Sequence, residues 1–348
     1  NIYNLIKNND KLPLIFFRPR DLYLEESNIF SINNNIISAS LFDFSYYFFN
    51  NVNELINKKI GPYFDIPEIS DLVEARFWKE LFIYSEDYFS LEKGTIKIKI
   101  NINKLNSFYN LEEILFELRS YCIGVRVNDC EIITDFLGYN SCYINSNLID
   151  LKYDFLKKYK NHILSICHKR NTLCLSNFDT VLNENLRLEF LNKYIDEGFD
   201  GFFIKNPMII DNIKTLFNEK KILFNQIKKI NNIKFNYKEF IVNDNITLLN
   251  LEFNIKVLTK YIESWIDGIG IIVIDELIID IKLIEFIRIN LKNLKNINKK
   301  YDIKFIINCV NKYTNNRLIT NLVYNLITNE DIICISNFLS NELGSNII

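Results

Sequence analysis

The stretch GTIKIKININKLNSFYNLEEILFELR, residues 94–119, decides the fold class because it joins a strand to a helix. Its first part, 94–102, predicts a buried strand, and its second part predicts a helix. The turn between the two is where such a unit carries its chemistry. Here the strand ends in Asn101 and Asn103, without an acidic residue, so this edge has either lost a carboxylate or never had one.

Strand-like and helix-like segments alternate on both sides of this unit. The strand candidates are short apolar runs at residues 12–20, 61–67, 94–102, 122–130, 171–178, 200–207 and 268–277. The helical patterns between them occupy residues 71–89, 111–121, 151–170 and 254–268. This order predicts βα units on a parallel sheet, and the apolar strands predict a sheet that is covered on both faces.

Seven strands are more than most open sheets of this length contain and one fewer than a (β/α)8 barrel has. We therefore predict an α/β fold of the TIM-barrel type, with strands 2–8 of the barrel in residues 1–283 and the first strand missing from the sequence. The segments after residue 283 predict a C-terminal helical domain, residues 284–348. In such a barrel the functional residues lie at the carboxyl ends of the strands.

The composition argues against several classes of function. The chain has 348 residues, 48% of them hydrophobic, and can bury a large core. Its formal net charge of -2 gives no electrostatic reason to expect nucleic acid, and no apolar run is long enough to span a membrane. Seven cysteines without a CxxC pair and only two histidines argue against a structural zinc site and against a Ser–His–Asp triad. We expect reduced thiols, a cytoplasmic location, and no nucleic-acid or membrane partner.

Several motifs are long enough to compare with known families. They are RPRDLYLEE at 18–26, SLFDF at 40–44, GPYFDIP at 61–67, VEARFWKELFIYSED at 73–87 and YIESWIDGIG at 261–270. Together these segments resemble the malate synthase family, specifically its shorter A-type branch. The resemblance covers nearly the whole chain and is most specific between residues 40 and 67.

The resemblance implies a malate synthase-like acyltransferase of the glyoxylate cycle. Such an enzyme condenses acetyl-CoA with glyoxylate, its expected small-molecule partners, and hydrolyses the malyl-CoA to malate and CoA. The chemistry needs a carboxylate that takes a methyl proton, a cation that stabilises the enolate, and Mg²⁺ to polarise the aldehyde. The resemblance places the catalytic base at Asp280 and the catalytic cation at Arg18. From the residues alone, a helix-start role is the favoured interpretation of Asp280, and Arg18 could equally form a strand-end salt bridge.

The metal ligands are where the sequence departs from the family. Counting from Gly94 places the family's glutamate ligand at Asn103, and the family's aspartate ligand falls on Glu131. Asp129 lies two residues before Glu131 and is a candidate substitute. Since Mg²⁺ depends on one or two carboxylates, we expect a weakened Mg²⁺ site. The strand end at 101–103 is therefore interpreted as an edge that has lost its carboxylate.

Two alternatives stay open beside a working malate synthase. One is a catalytically impaired malate synthase-like pseudoenzyme with a structural or regulatory role, because the apolar positions that determine the fold are kept better than the site. The other is a related CoA-thioester lyase that uses a different oxo acid. The family's first barrel strand would lie before residue 1, so we expect either a longer parent protein that supplies it or a decayed chain.

Overall fold

The computed structural model describes residues 13–30, 35–141, 154–177, 184–204, 207–220, 222, 226, 248–275, 277–297, 303–332 and 334–343. The first elements are β1 (Glu25–Phe30) and β2 (Ile36–Ser38), which form an antiparallel hairpin. The helix α1 (Ala39–Asn57) follows, and its buried Phe44 and Phe48 pack against Phe64 of the central sheet.

Five parallel strands form the central sheet, and each lies beside the next one along the chain. They are β3 (Tyr63–Ile66), β4 (Lys97–Ile102), β5 (Cys122–Val127), β6 (Leu173–Asn177) and β7 (Gly201–Phe203). Phe17 makes a parallel bridge to Phe64, so the segment before β1 lies at the free edge of β3. Six of the seven predicted strand positions are therefore adjacent, in the order that a barrel of βα units requires.

Helices connect these strands, as predicted. The helix α2 (Leu72–Tyr88) begins at Asp71, whose carboxylate accepts hydrogen bonds from the backbone N–H groups of Val73 (2.8 Å) and Glu74 (3.0 Å). Such a cap satisfies N–H groups that have no partner inside the helix. The later helices of this region are α3 (Leu105–Tyr109), α4 (Leu111–Glu117), α5 (Asp129–Asn140), α6 (Asp154–Lys169), α7 (Glu184–Glu197) and α8 (Ile210–Glu219).

The two faces of the sheet differ in chemistry. Because successive strand residues point to opposite faces, Ile98, Ile100 and Ile102 share one face, and all three are fully buried in the main hydrophobic core. Lys99 and Asn101 point to the other face, and Asn101 is buried there as well. Both faces of β4 are therefore covered, as expected, but the second face is polar.

The last predicted strand, 268–277, is shorter than expected and turns back. The segment contains the short strand β8 (Ile272–Ile274), which pairs antiparallel with β9 (Leu277–Ile279). Asp275 turns the chain with a φ of 49°, a left-handed conformation that aspartate tolerates better than a β-branched residue does. Among the described residues neither strand pairs with the five-stranded sheet, so the parallel strands form an open part of a barrel.

Helices dominate the C-terminal part of the chain. α9 (Leu248–Ile266) precedes the β8–β9 hairpin, and the helices after it are α10 (Ile281–Ile297), α11 (Ile303–Asn311), α12 (Arg317–Thr328) and α13 (Ile335–Leu343). Their buried residues belong to the same hydrophobic core as the sheet. The predicted domain boundary after residue 283 falls in the first turn of α10 and stays a prediction. No helix within the described ranges has the length and apolar character that crossing a lipid bilayer requires.

Candidate active site

The carboxyl ends of β4 and β5 bring the predicted metal-binding positions together. The two strands pair up to their last residues, so Asn103 and Asn128 leave them side by side. Asn103 is half-buried at the end of β4. The Asn128 side chain caps α5, whose first turn carries Asp129 and Glu131. The three predicted metal positions therefore lie at one edge of the sheet.

Asp129 lies in a network with a lysine and a tyrosine. Its Oδ2 is 2.8 Å from the Lys160 Nζ and accepts a hydrogen bond of 2.8 Å from the Tyr194 hydroxyl. Lys160 also donates to that hydroxyl at 2.6 Å, and its ammonium lies 3.9 Å from the centre of the Tyr194 ring. Burial lowers the pKa of Lys160, but the interactions with Asp129 and Tyr194 outweigh burial and leave the pKa above its ordinary value. Lys160 is therefore protonated and forms a buried ion pair with Asp129.

Glu131 forms an ion pair with Lys282 from the first turn of α10. This contact holds the start of α10 at the carboxyl end of β5. A hydrogen bond from the Asn293 Nδ2 to the Leu137 carbonyl (2.8 Å) holds α10 against α5 further along. The Lys282 side chain is 34% exposed and the Glu131 side chain 23%, so this pair is only partly buried.

Asp280 caps α10 two residues before Lys282. Its Oδ1 accepts hydrogen bonds from the backbone N–H groups of Lys282 (3.1 Å) and Leu283 (3.0 Å). Burial, and to a smaller extent the charge of Asp280, raises the pKa of Tyr261. The helix-start role that the sequence allowed for Asp280 is therefore observed. The Lys282–Glu131 pair also brings Asp280 to the edge that carries the predicted metal positions.

Arg18 belongs to a second network, on the polar face of β3 and β4. Its Nη1 lies 3.3 Å from the Asp65 Oδ2, and the Lys99 Nζ lies 3.5 Å from the same oxygen. The other oxygen of Asp65 accepts a hydrogen bond of 3.0 Å from Asn101. The strand-end salt bridge of Arg18 is therefore formed, while its side chain stays 41% exposed. That Arg18 and Asp280 share one substrate stays a prediction.

Arg126 adds another cation to this polar face. Its guanidinium lies 3.5 Å from the centre of the Phe203 ring and donates a hydrogen bond of 2.7 Å to Asn177. The Lys99 ammonium approaches the same ring at 5.5 Å. The cationic groups of Arg18, Lys99 and Arg126 make this polar face suited to a negatively charged ligand. These side chains were not predicted as site residues, although the alternation of isoleucine with lysine and asparagine in 96–103 was an available signal.

Comparison with known proteins identifies the family. Residues 14–247 match the family model for the TIM-barrel domain of malate synthase. The chain belongs to the malate synthase family. Malate synthase A of Escherichia coli (strain K12) is 29% identical over 297 residues, which cover 79% of this chain and 55% of that protein. The malate synthase of Dictyostelium discoideum is 28% identical over 307 residues, which cover 80% of this chain and 56% of that protein.

The chain spans about half the length of these curated malate synthases. A solved structure of Haloferax volcanii malate synthase, a pyruvate and acetyl-CoA ternary complex, superposes with a TM-score of 0.50 at 9% identity. The superposition covers 79% of this chain and 75% of that one. This similarity supports the TIM-barrel type of fold.

The residues at the three predicted metal positions do not fit a Mg²⁺ site. Mg²⁺ is held by carboxylate oxygens together with water and substrate oxygens. Here one position is the neutral Asn103, Glu131 is paired with Lys282, and Asp129 is paired with Lys160. One oxygen of Asp129 is buried without a hydrogen-bond donor among the described residues, but a single oxygen does not make a site. Where the structure describes the chain, no three His, Cys, Asp or Glu side chains are grouped to hold a metal ion.

Lys282 and Lys160 are two further site residues that sequence reasoning missed. The sequence contained a signal for Lys282. The helix dipole disfavours a cation in the first turn of a helix, so a lysine at that position indicates a specific partner. Lys160 had a weaker signal, since it lies on the buried face of α6, where lysine is rare unless it is paired.

Proposed function

We propose that the protein is a malate synthase-like acyltransferase that condenses acetyl-CoA with glyoxylate and hydrolyses the product to malate and CoA. Membership of the family supports the reaction class. One structural observation supports the site: the Lys282–Glu131 contact brings Asp280 to the carboxyl end of β5, where barrels of βα units carry their chemistry. The proposal includes a place in the glyoxylate cycle and a cytoplasmic location.

In the proposed reaction Asp280 is the base. Its carboxylate takes a proton from the methyl group of acetyl-CoA, and the electron pair of the broken C–H bond forms the enolate. The enolate carbon attacks the aldehyde carbon of glyoxylate, which forms a C–C bond and leaves an alkoxide that takes up a proton. Water then cleaves the C–S bond of malyl-CoA and releases malate and CoA.

The surroundings of Asp280 and Arg18 support these roles. Two hydrogen bonds from the start of α10 hold the Asp280 carboxylate in one orientation. Arg18 is proposed to stabilise the negative charge on the enolate oxygen, and its partly exposed guanidinium is accessible to a ligand. Lys99 and Arg126 add positive charge on the polar face of the sheet, which favours a substrate that carries a carboxylate.

A CoA-release assay with acetyl-CoA and glyoxylate tests this proposal. Asp280→Asn is expected to lower kcat by about a hundredfold to ten-thousandfold, because the base is removed while the helix cap is kept. Asp267→Asn changes an exposed aspartate just after α9 and is the matched control, with an expected activity equal to wild type. Wild-type protein that releases no CoA, or Asp280→Asn that is fully active, would contradict the proposal.

A catalytically impaired protein with a structural or regulatory role is the second candidate. The observation in its favour is that Asn103 is uncharged and that both neighbouring carboxylates are paired with lysines. This candidate predicts that wild type and Asn103→Glu both fold, as judged by circular dichroism, and that neither releases CoA. Activity that appears only in Asn103→Glu would show instead that the altered metal position limits an otherwise competent site.

A further inference from the structure

The two carboxylates at the end of β5 are each in contact with an ammonium group. Glu131 contacts Lys282, and Asp129 lies 2.8 Å from the Lys160 Nζ. We infer that Lys282 takes the place of the divalent metal ion, so that this site binds the oxo acid through an ammonium group and without Mg²⁺. The inference rests on the proposed function, because it concerns how the same site holds glyoxylate.

The charges at this edge leave little attraction for a divalent cation. Glu131 and Asp129 bring two negative charges, and Lys282 and Lys160 bring two positive charges in direct contact with them. Asp280 brings a third negative charge, and its carboxylate accepts hydrogen bonds from two backbone N–H groups of α10. A Mg²⁺ ion there must displace an ammonium group or lie beside one, and like charges at such short range repel strongly. Asn103, the remaining predicted metal position, adds no negative charge.

The two lysines differ in their access to a ligand. The Lys160 side chain is 10% exposed, and its ammonium forms an ion pair with Asp129 and donates a hydrogen bond to the Tyr194 hydroxyl. The Lys282 side chain is 34% exposed. An ammonium group has three donors, so the pair with Glu131 leaves Lys282 able to donate to a ligand oxygen. Lys160 therefore holds the site together, and Lys282 faces the ligand.

The position of Lys282 suits the proposed reaction. It stands two residues after Asp280, the proposed base, in the first turn of the same helix. An oxo acid held by Lys282 is therefore expected near the helix start that carries the proposed base. An ammonium group polarises a carbonyl oxygen in the same sense as a metal ion does, with one positive charge instead of two.

Isothermal titration calorimetry on protein dialysed against EDTA tests the inference without requiring turnover. Glyoxylate is expected to bind the wild-type protein in EDTA, and about 5 mM Mg²⁺ is expected to change its Kd by less than about twofold. Mg²⁺ titrated alone is expected to give no binding in the same concentration range.

Two variants on α10 form a matched pair. Lys292→Met is the control, because it removes the same charge from the same helix. Among the described groups, the Lys292 ammonium contacts only the Glu330 carbonyl, at 3.4 Å. This variant is expected to bind glyoxylate like wild type. Lys282→Met is expected to bind glyoxylate at least about tenfold more weakly in EDTA. It also leaves Glu131 without its cation, so it is expected to bind Mg²⁺, and more tightly when Asn103→Glu is added.

The outcomes separate this inference from the proposed function. Glyoxylate binding that requires Mg²⁺ would overturn the inference and leave the proposed function standing. No glyoxylate binding under either condition would overturn both. Equal affinity of folded Lys282→Met and wild type in EDTA would also overturn the inference, because the lysine would then contribute nothing to binding. The wild-type titrations decide the matter even if a variant does not fold.

Discussion

Removing the Lys160 ammonium tests whether it is the group that keeps the Asp129 charge stable inside the protein. Lys160→Met keeps most of the aliphatic side chain but removes the 2.8 Å contact, in a pair whose side chains are only 10% and 13% exposed. Breaking a buried pair by removing one partner costs about 3–5 kcal/mol. The unpaired Asp129 carboxylate takes up a proton if keeping its charge costs more than protonation. This sets an upper limit on the loss of unfolding free energy, because protonating an ordinary aspartate at pH 7 costs about 4 kcal/mol. We therefore expect Lys160→Met to lose about 3 kcal/mol of unfolding free energy at pH 7.

Because the cost of protonating a carboxylate falls with pH, the loss of stability in Lys160→Met is expected to depend on pH. At pH 5 the protonation of an ordinary aspartate costs only about 1.5 kcal/mol, so the destabilisation by Lys160→Met is expected to shrink to about that value. The double variant Asp129→Asn/Lys160→Met has no stranded charge and is expected to recover at least about half of the loss. Lys157→Met, at an exposed lysine of the same helix, is the control and is expected to stay within about 0.5 kcal/mol of wild type.

Urea unfolding at both pH values measures these differences, followed by circular dichroism and by the fluorescence of the buried Trp78. A loss below about 1 kcal/mol at pH 7 would refute the reasoning. A loss that is as large at pH 5 as at pH 7 would refute it too, and so would a double variant that is less stable than Lys160→Met.

Three further predictions concern the core, a tyrosine and a helix cap. Phe64→Ala removes a fully buried ring 4.8 Å from the Phe44 ring and is expected to cost about 3–5 kcal/mol in urea unfolding, whereas Tyr46→Ala, at an exposed ring, should cost less than about 0.5 kcal/mol. Burial raises the pKa of Tyr194, so the folded protein keeps a proton that the unfolded chain releases, and stability is expected to fall as the pH rises above about 10. Urea titrations at alkaline pH check this, and Tyr194→Phe should weaken the dependence. Asp71→Ala removes the cap of α2 and is expected to cost about 1 kcal/mol in urea unfolding, whereas Asp71→Asn should keep most of the stability.

The order of strands and helices could be predicted because it depends on local patterns. The segment 94–119 contains β4, α3 and α4, with the strand where the isoleucines indicated it. The helix start at Asp280 is local in the same way, since an aspartate caps a helix through N–H groups two and three residues away. These features need no knowledge of the rest of the chain.

The partners of the site carboxylates could not be predicted, because they come from distant elements. Glu131 meets Lys282 of α10, and Asp129 meets Lys160 of α6, through packing that no local pattern specifies. The β8–β9 hairpin was missed for a different reason. The apolar run before Asp275 has the composition of one long strand, and the turn uses an aspartate with positive φ instead of a glycine or a proline.

Anomalous diffraction from crystals soaked in Mn²⁺ tests most directly whether ammonium groups replace the metal ion, because Mn²⁺ prefers the same oxygen ligands as Mg²⁺ and marks its own position. We predict no anomalous peak beside Glu131 and an intact ion pair between Glu131 and Lys282. A Mn²⁺ peak bound to Glu131, with Lys282 displaced from it, would contradict the claim.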